Sequence, residues 1–391
     1  MNDTFSMRME NIKPSLTLAL QSKANEMKAQ GREVFSFAAG EPDFTTKAYI
    51  CEAAKKALDD GKTKYGPAAG EKHLRELVAK DVSMVTNASY DFDNVIITNG
   101  GKQALFNIMM ALLNPHDEVL IPSPYWLSYP EMVRLAGGTP VSVPTDFKDN
   151  YKIKVSNLKK HLSSKTKLLI LNTPSNPTGM VYTKEELEEI SKFVIDNDLT
   201  VISDEIYSRL TYDGHTHSSI ASLNQDIRER TIICSGFAKS YAMTGWRIGY
   251  AIGSKSLIKT LSKIQGHTTS NVCTFAQYGA MAALENKDEE KSLREMKEIF
   301  SNRKNLIYTL VRDIKGLKVI EPQGAFYLYV HIKDTGLDSL KFCERLLEEK
   351  HVVLVPGKVF GDNDAVRISF ATSEDVIRKG MAKLKDFVEN L

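Results

Sequence analysis

Short β-branched runs alternate with longer helical patterns through the middle of the chain, and this alternation narrows the available folds more than any other feature. The runs are Asn94 to Thr98, Glu118 to Ile121, Lys167 to Leu171, Leu199 to Ser203, Thr231 to Cys234 and Gly249 to Ile252. Several are apolar throughout rather than alternating, which predicts strands of a mainly parallel sheet covered by helices on both faces. One helix start is explicit: Thr183 and Glu186 form a capping box ahead of the apolar stripe Leu187, Ile190, Phe193 and Val194. From about Asp288 a charged helical pattern runs to Arg312. The texture then changes to strands at Ala325 to Ile332, Val352 to Val355 and Val366 to Ser369, and to a helix at Ser373 to Leu391. We therefore expect a large unit over 46–287 and a small C-terminal unit over 288–391. The N-terminal segment, 1–45, carries one amphipathic helix, is too short to bury a core of its own, and is expected to pack with the small unit.

Charge excludes some partners. Across 391 residues, 51 Lys plus Arg stand against 49 Asp plus Glu, and the formal charge of +2 gives no general pull toward nucleic acid or anionic membrane. Any anion site must be local. No run approaches the ~18 apolar residues of a membrane span, and the first residues lack the apolar stretch of a secretory signal, so a cytoplasmic protein that does not enter membranes is expected. Cys51, Cys234, Cys273 and Cys343 lie far apart without a C-x-x-C pair and are expected as reduced thiols, with no metal site among them.

Four turns that follow predicted strands carry residues suited to chemistry. Thr98 to Gln103 ends a strand and opens a helix over Ala104 to Leu113. Gly100 and Gly101 admit a ligand close to the backbone there, and the free N–H groups of the helix start suit a phosphate, although a ligand-free turn has the same form. In Asn172 to Gly179, Pro174 and Pro177 fix the backbone around Asn176, either to hold one polar group or simply to turn the chain. Asp204, with Tyr207 three residues on, stands where a buried carboxylate meets a protonated ring nitrogen, or where an Asp caps a helix. Lys239, in Ser235 to Ser240, is an amine made nucleophilic by desolvation or a solvated surface lysine, and Arg247 just beyond it offers a phosphate fork. Asp204 and Lys239 are 35 residues apart and each follows one of two consecutive predicted strands, so they converge on one crevice.

Taken in order, GGKQALFN, NTPSNPTG, SDEIY, GFAKSYAMTGWRIGY and VRISFA, preceded by AAGEPDF at Ala38 to Phe44, resemble the class I and II aminotransferases, the fold type I pyridoxal phosphate enzymes, over nearly the whole chain. Within that family the resemblance is strongest to the bacterial aspartate aminotransferase subgroup. It implies an α/β fold with a mainly parallel seven-stranded sheet and a smaller α+β part, pyridoxal 5'-phosphate as cofactor, and transfer of an amino group from aspartate or glutamate to a 2-oxoacid such as 2-oxoglutarate. It implies that Lys239 bonds the cofactor and then moves the substrate Cα proton, that Asp204 pairs with the pyridinium nitrogen, and that Tyr207 and Asn176 bond the ring oxygen. Arg247 and the N–H groups of Gly101 and Lys102 would hold the phosphate, and Trp126 would stack on the ring. Tyr65 would reach the phosphate of a neighbouring subunit, making a homodimer with shared sites. On the substrate side, Arg367 would fork onto the α-carboxylate, Gly40, Asn176 and Trp126 would border the pocket, and Lys102 would approach a distal carboxylate. Lys13, Ser15 and Thr17 would close over the same end, or admit aromatic or prephenate-like substrates instead. A carbon–sulfur β-lyase and a non-catalytic phosphate-ligand binder are the competing readings. One departure from the pattern is Ala238, where many relatives carry Ser before the lysine, so a hydroxyl contact to phosphate falls to Ser235 or to another group.

Overall fold

The computed structural model describes Ser6, Met9, Ile12 and residues 16–391, so Lys13 and Ser15, and the side chain of Thr17, lie outside the described residues. In chain order the strands are β1 Phe35–Ser36, β2 Val95–Thr98, β3 Glu118–Ser123, β4 Thr139–Pro144, β5 Thr166–Asn172, β6 Thr200–Asp204, β7 Thr231–Gly236, β8 Gly249–Ile252, β9 Lys318–Val319, β10 Tyr327–His331, β11 Val352–Val353, β12 Val355–Pro356 and β13 Ala365–Ser369.

Seven of them form one sheet in the order β2-β8-β7-β6-β5-β3-β4. Its neighbours pair in parallel except at β8, which runs antiparallel to both β2 and β7. All four residues of β2 and all six of β7 are buried, as the unbroken apolar runs require of strands sandwiched between helices. β4 extends the six-run pattern read from the sequence. It is the edge strand, carries Pro140 and Pro144, and is half exposed, so it shows no apolar run. The helix Lys184–Asp196 begins as expected: Thr183 Oγ1 accepts from Glu186 N at 3.3 Å, and Glu186 Oε2 accepts from Thr183 N at 2.8 Å.

The remaining strands build an antiparallel sheet, β12-β13-β10-β9, and a two-stranded parallel pair, β1 with β11. Through that pair the N-terminal segment is tied to the last third of the chain: Phe37 N donates to Val353 O and Ser369 N donates to Phe37 O, both at 2.9 Å. The helix Glu289–Arg312 buries Met296, Phe300, Lys304, Ile307 and Val311 on one stripe. Lys304 fits an apolar stripe because its ammonium is paired, with Asp213 and with Glu321. No helix among the described residues is long and apolar enough to cross a membrane.

Candidate active site

β5, β6 and β7 run side by side in parallel, and the residues at and just beyond their C-terminal ends face one crevice, the position where open α/β sheets bind ligands. Asp204 closes β6, in register with Asn172 of β5 and Cys234 of β7. Its Oδ2 accepts from Tyr129 Oη at 2.6 Å and its Oδ1 from Ile206 N at 3.2 Å. The chain then enters turns rather than a helix, so the capping alternative is realised only as this local turn bond. Burial raises the Asp204 carboxyl to about 6, and Glu205 adds to the rise, while the bonds from Tyr129 and Ile206 and the charge of Lys239 oppose it. It is therefore a carboxylate at neutral pH, but one that a small change nearby would neutralise.

Lys239 follows β7 and is half-buried. Its Nζ donates to Gly40 O at 2.5 Å and lies about 6 Å from the ring centres of Tyr207 and Phe326. Desolvation lowers its amine to about 8, Arg247 and Arg367 push the same way, and Glu41 and Asp204 pull it back. At pH 7 that leaves roughly one molecule in ten with a free amine, against about one in three thousand for an ordinary lysine.

The glycine turn lies against Arg247. Gly100 has φ +79°, and a Cβ there would lie 2.4 Å from Arg247 Nη2; a Cβ on Gly249, the first residue of β8, would lie 2.3 Å from Gly101 N. Both positions are therefore closed to any side chain. Arg247 itself holds φ +56°, anchored by Nη1 to Thr244 O at 2.9 Å and Nη2 to Asn99 O at 3.3 Å. Gly101 and Lys102 open the helix Gly101–Leu112, so their N–H groups have no intrahelical acceptor and, with Arg247, form a cationic cradle. Lys102 Nζ stands 5.0 Å over the Trp126 ring, and desolvation, then Arg247, lowers its pKa. Ser235 does not supply a spare hydroxyl: its Oγ is buried and donates to Glu205 O at 3.2 Å.

Arg367, on β13, is buried over the faces of Tyr327 and Phe360. Its Nη1 donates to Asn176 Oδ1 at 2.9 Å and its Nη2 to Ala38 O at 3.0 Å, while Nε has no partner among the described residues. Asn176 is itself fixed, its N–H donating to Asn172 Oδ1 at 2.8 Å, and Tyr207 Oη sits 2.9 Å from Tyr327 Oη. A Cβ on Gly40 would touch that same Tyr327 hydroxyl, at 3.4 Å. One expected residue stands apart: Tyr65 is 90% exposed, reaching away from its own chain. Two residues at the site went unread in the sequence. Tyr327 had no motif around it. Tyr129 could have been found from its place three residues after Trp126, one turn along, where the two rings now meet edge to face at 5.3 Å.

A sequence profile of the family described as aminotransferase class I and II matches residues 32–384. The chain is 43% identical over 387 residues, 98% of each protein, to an aspartate aminotransferase of Bacillus subtilis. It is 41% identical over 379 residues, 97% of each, to an aspartate/prephenate aminotransferase of Thermus thermophilus. Among solved structures, an aspartate aminotransferase from Thermus thermophilus with maleate matches with a TM-score of 0.94 at 40% identity, over 98% of this chain and 99% of that one.

Proposed function

The chain belongs to the class I and II aminotransferases, and on that footing we propose that it holds pyridoxal 5'-phosphate in the crevice above β5 to β7 and moves an amino group from aspartate or glutamate to a 2-oxoacid such as 2-oxoglutarate. The observation that carries this reading is the meeting of a buried carboxylate, Asp204, and a half-buried amine of lowered basicity, Lys239, beyond the ends of adjacent strands. The residues fit the cofactor: the cradle of Gly101 N–H, Lys102 N–H and Arg247 suits a phosphate, Trp126 offers a ring face, and Asn176 and Tyr207 offer hydrogen bonds to a ring oxygen.

When bound, pyridoxal phosphate supplies an electron-withdrawing ring that takes up the electron pair left by the substrate Cα proton. The protein's part is positional and electrostatic. Asp204, held by Tyr129, keeps a proton on the ring nitrogen; Lys239 Nζ takes the Cα proton and returns it. Arg367 forks onto the α-carboxylate, its Nε free and its two other arms held by exchangeable protein acceptors, with Gly40 and Asn176 bordering the pocket. Lys102 meets a distal carboxylate. The Thermus relative bound to maleate, a four-carbon dicarboxylate, supports that assignment, and prephenate, also a dicarboxylate, suits the same cation. The exposed Tyr65 is suited to the phosphate of a second copy, giving a homodimer with shared sites. The same reading divides the chain into a cofactor-binding unit over 46–287 and a smaller unit over 288–391, with 1–45 packed on the latter.

Borohydride reduction of the cofactor-loaded protein followed by peptide mapping tests the assignment. The label is expected on Lys239, with a pyridoxamine absorbance formed on adding aspartate. A label on another lysine, or release of pyruvate from a cysteine-type substrate without that absorbance, would replace this reading.

A further inference from the structure

Tyr327 touches two working groups of the site, and the mechanism above gives it no part. It opens β10, which pairs antiparallel with β13 so that Tyr329 stands opposite Arg367 and Tyr327 lies diagonal to it on the same face. The Arg367 guanidinium rests on the Tyr327 ring, with its central carbon 4.4 Å from the ring centre. At the far end of that ring the hydroxyl lies 2.9 Å from Tyr207 Oη, and the two rings meet edge to face at 5.9 Å. Tyr327 is wholly buried, and its hydroxyl has no other hydrogen-bond partner among the described residues.

Two hydroxyls that share one contact place one proton in it and leave the other free. If Tyr207 donated, the Tyr327 proton would be sealed in the interior without an acceptor, which is unfavourable. If Tyr327 donates, both protons have a place, because Tyr207 keeps its own for the crevice. Arg367 favours the same direction, since a cation over the ring makes a phenol the stronger donor. Burial pushes both phenols up, Tyr207 the further, and Arg367 is the foremost group opposing the rise at Tyr327. We propose that Tyr327 is a positioning residue: by donating to Tyr207 Oη it aims the Tyr207 proton at the cofactor ring oxygen, while its ring face holds Arg367 for the substrate α-carboxylate. One side chain then ties the cofactor side of the crevice to the substrate side. This rests on the function proposed above. The charged groups facing the phenol pair are Arg367, Lys239 and Asp204, all members of the same site.

The test compares Tyr327→Phe, Tyr327→Leu, Tyr207→Phe and the double variant Tyr207→Phe with Tyr327→Phe, each loaded with pyridoxal phosphate. One readout needs no substrate: the pH midpoint of the cofactor's visible absorbance. A ring oxygen whose negative charge is less well shared by Tyr207 leaves the proton on the Lys239 nitrogen more tightly held. Tyr327→Phe should therefore raise the midpoint by about half to one pH unit, the worth of one neutral hydrogen bond. The other readout is aspartate turnover. Tyr327→Phe keeps the ring under Arg367, so kcat should fall about 3- to 10-fold with KM within about twofold of native. Tyr327→Leu removes the ring face as well and should also raise KM, by about 3- to 30-fold. In the Tyr207→Phe background, Tyr327→Phe should add almost nothing to the midpoint shift. An unmoved midpoint in Tyr327→Phe, or the same shift with and without the Tyr207 hydroxyl, would overturn the proposal, and Tyr327→Phe decides it if the leucine variant does not fold. If borohydride fails to label Lys239 in the native protein, the function proposed above falls and this inference with it; a normal label with an unmoved midpoint removes only the role of Tyr327.

Discussion

Tyr129 Oη donates to Asp204 Oδ2 at 2.6 Å, and because Tyr129 also meets the Trp126 ring edge to face, one side chain fixes both the carboxylate and the aromatic wall of the crevice. Tyr129→Phe removes a charge-assisted bond of about 1.5 to 3 kcal/mol while keeping the ring contact. Without that donor the Asp204 carboxyl rises further, so aspartate turnover should fall about 10- to 100-fold near pH 6 and much less near pH 8. A loss of equal size at both pH values would show that Tyr129 serves packing alone.

Asp204 opposes the stability of the cofactor-free fold. Its folded value, about 6, is raised by burial above the 3.8 of an ordinary aspartate, so burying the charged form is unfavourable. Below about pH 4 both states are protonated and the penalty vanishes; it builds between about pH 4 and 6 and is complete above that, at about 3 kcal/mol. Asp204→Asn should therefore raise the Tm of the apoprotein at pH 7, with the gain fading on acidification through that window, while nearly all transamination is lost. Thermal melts of the two apoproteins across pH 4 to 8 would expose an error in sign.

The lowered basicity of Lys239 can be read without turnover. Modification of the apoprotein by a small acylating reagent should rise with pH to a plateau with its midpoint near 8, as set by the folded amine. Mapping that places the fast-reacting amine elsewhere, or a midpoint near that of ordinary lysines, would contradict the burial argument.

Substrate choice turns on Lys102. Lys102→Ala should lower kcat/KM for aspartate by about 1 to 3 kcal/mol, roughly 10- to 100-fold, and leave alanine almost unchanged. Equal losses for both would assign Lys102 to the cofactor phosphate or to the fold.

Gly100→Ala places a methyl 2.4 Å from Arg247 Nη2 on a backbone at φ +79°. Displacing that guanidinium should weaken cofactor binding at least tenfold, measured as the Kd for pyridoxal phosphate, with the secondary structure intact by circular dichroism. Unchanged affinity would mean that Arg247 does not hold the phosphate.

Much of this site was legible because its groups lie beside strand ends, and buried parallel strands announce themselves as apolar runs. The Gly100-Gly101 turn, Asn176, Asp204 and Lys239 each follow such a run, and the structure brings them to the C-terminal ends of β2, β5, β6 and β7, on one side of the sheet. β4 was missed because an edge strand with two prolines has no apolar run to read, and the reversed direction of β8 leaves no mark on composition. Long-range pairings were hidden for a different reason. Nothing in the spacing of Tyr129 and Asp204, 75 residues apart, or of Glu205 and His217 across an irregular loop, tells which side chains will meet.

The bond from Arg367 Nη2 to Ala38 O joins residues 329 positions apart, and Lys239 reaches Gly40 over another 199. Contacts of such high sequence separation carry the largest loop-closure entropy, so they form late in folding and are early to open. During synthesis the strands that carry Asp204 and Lys239 can assemble long before Arg367 leaves the ribosome, and the crevice stays incomplete until the last quarter of the chain returns to the first tenth. Catalytic competence is thus a report on the whole chain being closed, and in mild denaturant it should be lost before the seven-stranded sheet is.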